Sequence, residues 1–328
     1  MAPPHESASR DGTGLFIGVD VGGTKVLAAE VAPDDSLPRI ARRSTPGRRV
    51  EVGLVETALD EAVREVADGR PVAGVGLAAA GFVDAAGERV MFAPHLPWRG
   101  EDVRARLAAR WETVVALDND ANCAALAECV AGAAQGASEA LVVTMGTGIG
   151  GAVVLGGRVH RGTNGMAGEF GHAQVVPDGA PCECGGRGCW EQYSSGNALV
   201  RFARDRLGHE PTVLEEMCGG VPERLLGPMV TEAAEHGDLL ARQAFASVGD
   251  WLGVGLANLV AAFDPEVVVV GGGVSAAGDR LLEPARSALA RSLVGAAHRR
   301  VPPVLRARFG PEAGVVGAAY LARGAAGG

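Results

Sequence analysis

The sequence predicts an α/β protein made of two lobes of related topology. Three observations carry this. Short apolar strands alternate with helical segments along the chain. Two β-hairpins, one around Gly22 and one around Gly148, share a single layout of strand, polar residue, glycine/threonine turn and strand. The chain has 328 residues, and domains average roughly 150 residues, so its length fits two.

The elements follow in order. Leu15 to Asp20 is a short apolar strand ending on an acid, Gly22-Gly23-Thr24 is the turn, and Val26 to Val31 returns. Glu51 to Ala67 carries Val52, Val55, Leu59, Val63 and Val66 at helical spacing. Val72 to Leu77 and Val114 to Leu117 read as buried strands, and a helix begins at Asp120. The second hairpin runs from Ala140 to Leu155 around Met145 to Gly150. Leu239 to Phe263 is a long helix, and Glu266 to Val270 a buried strand running into Gly271-Gly272-Gly273. Asp279 to Arg291 and Glu312 to Ala322 read as helices. Met1 to Gly14 is polar and is expected to be a frayed tail. The expected division is a tail over 1–14, a small domain over 15–123 with 316–328, and a large domain over 124–315.

Composition narrows the function classes. A net charge of −9 disfavours nucleic acid and anionic membrane as partners. No apolar run reaches the ~20 residues of a bilayer span, and the N-terminus has no apolar leader, so a cytoplasmic protein is expected. The basic residues are twenty-nine Arg and a single Lys, Lys25. Coding bias accounts for the excess of Arg, and under that account Lys25 is a chance survivor. Its place in Asp20-Val-Gly22-Gly23-Thr24-Lys25 offers another account.

That turn presents consecutive backbone N–H groups beside an acid and a hydroxyl. Glycines let the backbone approach a phosphate closely, adjacent N–H groups form an anion nest, and Asp20 suits a hydrated Mg²⁺. The alternative is an ordinary tight hairpin. Gly146-Thr147-Gly148-Ile-Gly-Gly151 fits G-x-G-x-x-G, but a strand follows where a dinucleotide fold needs a helix, which rejects a dehydrogenase. Two such hairpin tips suit a polyphosphate, and Gly271, Gly272 and Gly273 suit the nucleoside end.

Asp118-Asn119-Asp120-Ala-Asn122 stands at the end of a buried strand, where open α/β sheets place ligands. Asp120 reads either as a general base for a sugar hydroxyl or as a helix N-cap. Asn119 offers both donors and an acceptor to sugar hydroxyls. Glu169-Phe-Gly-His172 precedes Cys182-Glu-Cys184-Gly-Gly-Arg-Gly-Cys189-Trp-Glu191. His172, Cys182, Cys184 and Cys189 make a closed Cys₃His shell for structural Zn²⁺. A disulfide or idle thiols are the alternatives. Glu169 and Glu191 flank the shell.

Together with Ala79-Ala-Gly81-Phe-Val-Asp84, these motifs resemble the sugar kinases of the ROK (repressor, open reading frame, kinase) family, and within it actinobacterial glucokinases. The resemblance runs from Leu15 almost to the C-terminus. It implies an actin-like, ribonuclease H-like two-lobed fold with a cleft, and ATP-dependent phosphorylation of glucose to glucose 6-phosphate. It implies Asp120 as the base on the 6-hydroxyl, with Gly81, Asn119, Glu169, His172 and Glu191 around glucose. ATP with Mg²⁺ would lie on Asp20, Gly22, Gly23, Thr24, Lys25, Gly146, Thr147, Gly148 and the Gly271 to Gly273 run. A homodimer or homotetramer is implied as well. The alternatives are another hexose, an N-acylated amino sugar, or polyphosphate as donor. A sugar-sensing repressor is disfavoured because too few residues precede Leu15 for a helix-turn-helix. Two departures from the family pattern are Ala80, where Pro is frequent, and Cys123, where a small residue is usual.

Overall fold

Period-2 burial places two helical layers on one sheet. This computed structural model describes residues 14–47 and 49–327. The expected N-terminal tail lies outside the described residues, save for Gly14. The first sheet has the order β3-β2-β1-β4-β7. Its strands are β1 (Leu15–Val21), β2 (Lys25–Glu30), β3 (Ile40–Ser44), β4 (Val72–Ala79) and β7 (Val114–Asn119). Between β4 and β7 run a small hairpin, β5 (Phe82–Val83) with β6 (Val90–Phe92), and the helix α2 (Val103–Trp111). The strands β1, β4 and β7 are mutually parallel, so their C-terminal ends lie along one edge.

Side chains alternate between the two faces of this sheet. Ile17, Val19, Val21, Val75, Leu77, Val115 and Leu117 pack with Val55, Leu59 and Val63 of α1 (Val52–Ala67) and Leu107 of α2. Phe16, Ala78 and Ala116 pack on the other face, against Cys123 of α3 (Asp120–Ala131) and Ala318, Leu321 and Ala322 of α9 (Ala313–Gly327). The final helix therefore covers the first strand. It does so at backbone range: a methyl at Gly18 would overlap the Val315 carbonyl, and one at Gly76 the Ala318 carbonyl.

The second sheet has the order β10-β9-β8-β11-β12. These are β8 (Ala140–Met145), β9 (Ile149–Leu155), β10 (Arg158–His160), β11 (Val267–Gly271) and β12 (Val304–Arg306). The remaining helices are α4 (Gly196–Arg204), α5 (Leu214–Met217), α6 (Gly227–Glu235), α7 (Leu239–Phe263) and α8 (Asp279–Ser292). The apolar helix α7 is long enough to cross a bilayer, but its length is spent as a core helix against α8, α4 and α6.

The chain separates into two compact units. Of the described residues, one holds those up to Val142, Ala152–Gly168 and those from Pro311; the other holds Val143–Gly151 and Glu169–Gly310. The sequence-based division, cut after Cys123, gave 124–142, 152–168 and 311–315 to the large domain, whereas these residues group with the first unit. Within that unit α3 packs on α9: a methyl at Gly317 would overlap the Cys123 carbonyl.

Gly76→Ala tests the packing of α9 on the sheet. The variant is expected to lose about 2 kcal/mol or more of unfolding free energy, measured as a lower urea midpoint at unchanged m-value. Parental stability would show that the sheet and α9 separate without cost.

Candidate active site

Register sets the first group of residues. Asp20 of β1 pairs with Ala78 of β4, and Ala78 pairs with Asp118 of β7. Asp20 and Asp118 thus occupy one row on the α9 face, at the edge where the parallel strands end. The next step along β7 is Asn119, which is the N-cap of α3. Its Oδ1 accepts from the N–H groups of Ala121 at 2.8 Å and Asn122 at 3.2 Å, and its Nδ2 donates to the Gly81 carbonyl at 3.0 Å. The capping alternative considered for Asp120 therefore belongs to Asn119. Asp120 is the first helical residue, with its Oδ1 accepting from the Ala121 N–H at 2.9 Å.

Burial raises both site acids. Desolvation pushes Asp120 up to about 6, against weaker opposing hydrogen bonds from Ala121 and Asn119. Desolvation, then the charge of Asp120, pushes Asp20 up to about 7, and Lys25 pulls the other way. Gly314, at the start of α9, lies against the Asp20 carboxylate, its missing side chain leaving the room.

The first turn is braced from outside itself. Gly22 N–H donates to the Lys25 carbonyl at 3.0 Å, while Thr45 takes both turn carbonyls: its Oγ1 donates to Gly22 O at 2.7 Å and its N–H to Thr24 O at 3.1 Å. Among the described residues, the N–H groups of Gly23 and Thr24 make no backbone hydrogen bond, so they are available to an anion. His95 packs directly on Gly23, and Gly81 on the Phe92 carbonyl and Ala93.

The second unit assembles the remaining candidates. The ligand atoms of His172, Cys182, Cys184 and Cys189 all lie within 4.8 Å of one another. The Cys182 Sγ to His172 Nδ1 and Cys184 Sγ to Cys189 Sγ separations are both 3.6 Å. A tetrahedral zinc, about 2.3 Å from sulfur and about 2.05 Å from nitrogen, spaces its ligand atoms by about 3.5–3.8 Å. The residues fit the ion, with Nδ1 as the histidine donor. Burial pushes the Cys182 thiol up to about 12, so a thiolate there needs a cation beside it.

Trp190 holds the two residues on either side of it. It is buried, its Nε1 donates to the Trp251 carbonyl at 2.7 Å, and its indole fills the space above Gly255. Glu191 Oε1 lies 3.2 Å from Cys182 Sγ and 3.6 Å from His172 Nδ1, and a methyl at Gly148 would overlap its other oxygen. One carboxylate thus touches both the cysteine cluster and the second glycine turn. That turn rests on α4: Gly196 N–H donates to Gly146 O at 2.8 Å and Asn197 N–H to Thr147 O at 3.3 Å. Gly272, with φ of 79°, lies against the backbone of Met145, bringing the Gly271 to Gly273 run beside the same turn. Glu169 is exposed one turn before His172, whose N–H donates to its carbonyl at 3.2 Å.

Comparison with known proteins decides the family. The ROK family model matches residues 16–325. The chain belongs to the ROK family. Its ROK relatives include glucokinase of Streptomyces coelicolor, 40% identical over 94% of this chain and 98% of that protein. A ROK family glucokinase from Streptomyces griseus, solved in complex with glucose and AMPPNP, is 42% identical with a TM-score of 0.87. It is matched over 94% of this chain and 99% of that one. The ROK hexokinase of Thermus thermophilus is 35% identical with a TM-score of 0.72, over 94% and 97% of the two chains. The fold is accordingly the actin-like two-lobed α/β fold of ROK sugar kinases.

Thr45 braces the first turn through backbone carbonyls 21 and 23 residues away, and no local pattern announces it. The same holds for Arg161, which reaches Asp118 from 43 residues away.

The cysteine cluster generates a direct expectation. Elemental analysis should find about one zinc per chain, and Cys189→Ser, which breaks the Cys₃His set, should lose most of it. A folded parent without zinc would refute the assignment.

Proposed function

We propose that this chain is an ATP-dependent glucokinase, transferring the γ-phosphoryl group of ATP to the 6-hydroxyl of D-glucose with Asp120 as the base. The observation that carries the reading is the Asp120 carboxylate. It is enclosed, raised to about 6, and placed at the end of a parallel strand on a ROK scaffold. The close likeness to a glucokinase that binds glucose and AMPPNP supports the substrate pair.

The chemistry follows from the groups present. Asp120 takes the proton of the sugar 6-hydroxyl as that oxygen bonds to the γ-phosphorus, and the bond to the β,γ-bridging oxygen breaks to release ADP. A base with a pKa near 6 is ionised at neutral pH yet still basic enough to accept a proton. Gly23 and Thr24 N–H groups bind phosphate oxygens, as do the turn at Gly146, Thr147 and Gly148 and the Gly271 to Gly273 run. Lys25 belongs to this nucleotide loop, with a charge that also steadies Asp20. Mg²⁺ on Asp20 would neutralise phosphate charge. Asn119, Gly81, Glu169, His172 and Glu191 hold the sugar hydroxyls. Zinc, fixing His172 Nδ1, would leave Nε2 as the histidine donor to sugar. Six unpaired cysteines among the described residues agree with a reducing cytoplasm.

A panel of glucose, mannose, fructose and N-acetylated hexosamines, each with ATP or polyphosphate, tests the reading. Glucose with ATP should give the highest kcat/KM; preference for another sugar or for polyphosphate would replace it.

Asp120→Asn should lower kcat by about 10²–10⁴-fold while glucose Kd changes only a few-fold. The parent kcat should fall as pH drops through about 6, where the base protonates. Stability runs the opposite way. Both acids sit above their unfolded values, so the native state binds protons more tightly, and stability declines as pH rises from about 4 to about 7. Asp120→Asn should therefore melt higher than the parent at pH 8, and a lower melting temperature there would contradict that sign.

A further inference from the structure

We propose that Arg161 is a positioning residue for phosphoryl transfer, holding the Asp118–Asn119–Asp120 strand end in its reactive geometry through a buried ion pair with Asp118. The inference rests on the assignment of Asp120 as base.

The pair is built around one carboxylate. Asp118 Oδ2 accepts from Arg161 Nε at 2.8 Å and Nη2 at 2.6 Å. Its Oδ1 accepts from the Asn119 N–H at 2.8 Å and from Asn122 Nδ2 at 2.9 Å. Only 5% of the Asp118 side chain is exposed, and 19% of the Arg161 side chain. Each oxygen thus accepts two hydrogen bonds, and two of the four bonds grip residues on either side of Asp120.

The charge pattern explains why a guanidinium is required. Asp20 and Asp118 share a row on the α9 face, Asp120 opens α3 just beyond β7, and all three act on the buried thiol of Cys123, where Arg161 opposes them. Removing one partner of a buried pair leaves an uncompensated charge, a larger loss than the pair itself was worth. An unpaired Asp118 would turn toward water, releasing the Asn119 N–H and the Asn122 amide and shifting Asp120. A displacement of about 1 Å at a reacting group costs on the order of 10²-fold in rate.

Arg161 is itself anchored. Its carbonyl accepts from the Ala167 N–H at 3.1 Å, and Gly165 in the same loop packs against the backbone of Val83 and Asp84. The guanidinium therefore ties the strand end to the loop that follows Gly81. The ion pair of Arg70 with Glu30 lies toward the opposite end of the sheet, because Glu30 pairs with Ile17 of β1.

The test is a set of full-length variants assayed with glucose and ATP, each checked for folding by its melting transition. Arg161→Gln is expected to lower kcat about 10- to 100-fold with glucose KM within about threefold, and Arg161→Lys to recover part of that loss. Because Arg161 acts through Asp120, Arg161→Gln in an Asp120→Asn background should cost less than about threefold more. Unchanged kcat in folded Arg161→Gln, or an equal loss in both backgrounds, overturns the proposal. If Arg161→Gln does not fold, Arg161→Lys is read against the same two criteria. Near-normal turnover in Asp120→Asn alone would instead overturn the base assignment, and the positioning role with it.

Discussion

Three carboxylates gathered at the ends of parallel strands, with one guanidinium among them, are the constraint on which this architecture turns. Asp20 and Asp118 share a register row, and Asp120 opens the helix that leaves the second strand. Burial opposes the ionisation of Asp20 and Asp120. The local fold compensates the three unevenly. Asp118 is fully engaged by Arg161, Asn119 and Asn122 and serves as an anchor. Asp120 and Asp20 keep little compensation and titrate near neutrality. Asp118, fully engaged, and Asp120, left poised, show the same residue type in two states two positions apart.

Glycine is the complementary device, and its uses here are mostly steric. At Gly18 and Gly76 the missing side chain lets α9 lie on the sheet and bring its first turn to Asp20. At Gly148 it makes the slot for the Glu191 carboxylate, and at Gly255 the slot for the Trp190 indole. These contacts form a chain of dependence. Trp190 sets Cys189 and Glu191, and Glu191 touches both the ligand cluster and the glycine turn. A residue grouped with the nucleotide by its motif therefore also shapes the surroundings of a sugar candidate.

The site was legible where its chemistry is local. Cys182, Cys184 and Cys189 with His172 announce a tetrahedral shell by composition and short loops, and the structure brings their ligand atoms together. The two glycine/threonine turns and the acid at the head of α3 are likewise written in a few adjacent letters. One-residue ambiguities were not resolved that way. Asn119 and Asp120 are both good caps, and only the backbone conformation at Asn119, extended with φ −63° and ψ 150°, assigns the role. Arg161 looked like one of twenty-nine arginines, since its partner is 43 residues distant.

By itself, then, the sequence determined the strands and helices with a clear apolar pattern, the glycine turns, the cysteine and histidine cluster and the family, because each is carried by spacing within one segment or by a run of motifs in order. It also singled out Lys25, whose charge acts on Asp20. Only the tertiary structure decided which acid is anchored and which are poised, which residue caps α3, and that the whole of α3 belongs with the first unit. Those outcomes depend on burial and on register between strands far apart in the chain. Desolvation and close approach are properties of the assembled neighbourhood, and no single segment contains them.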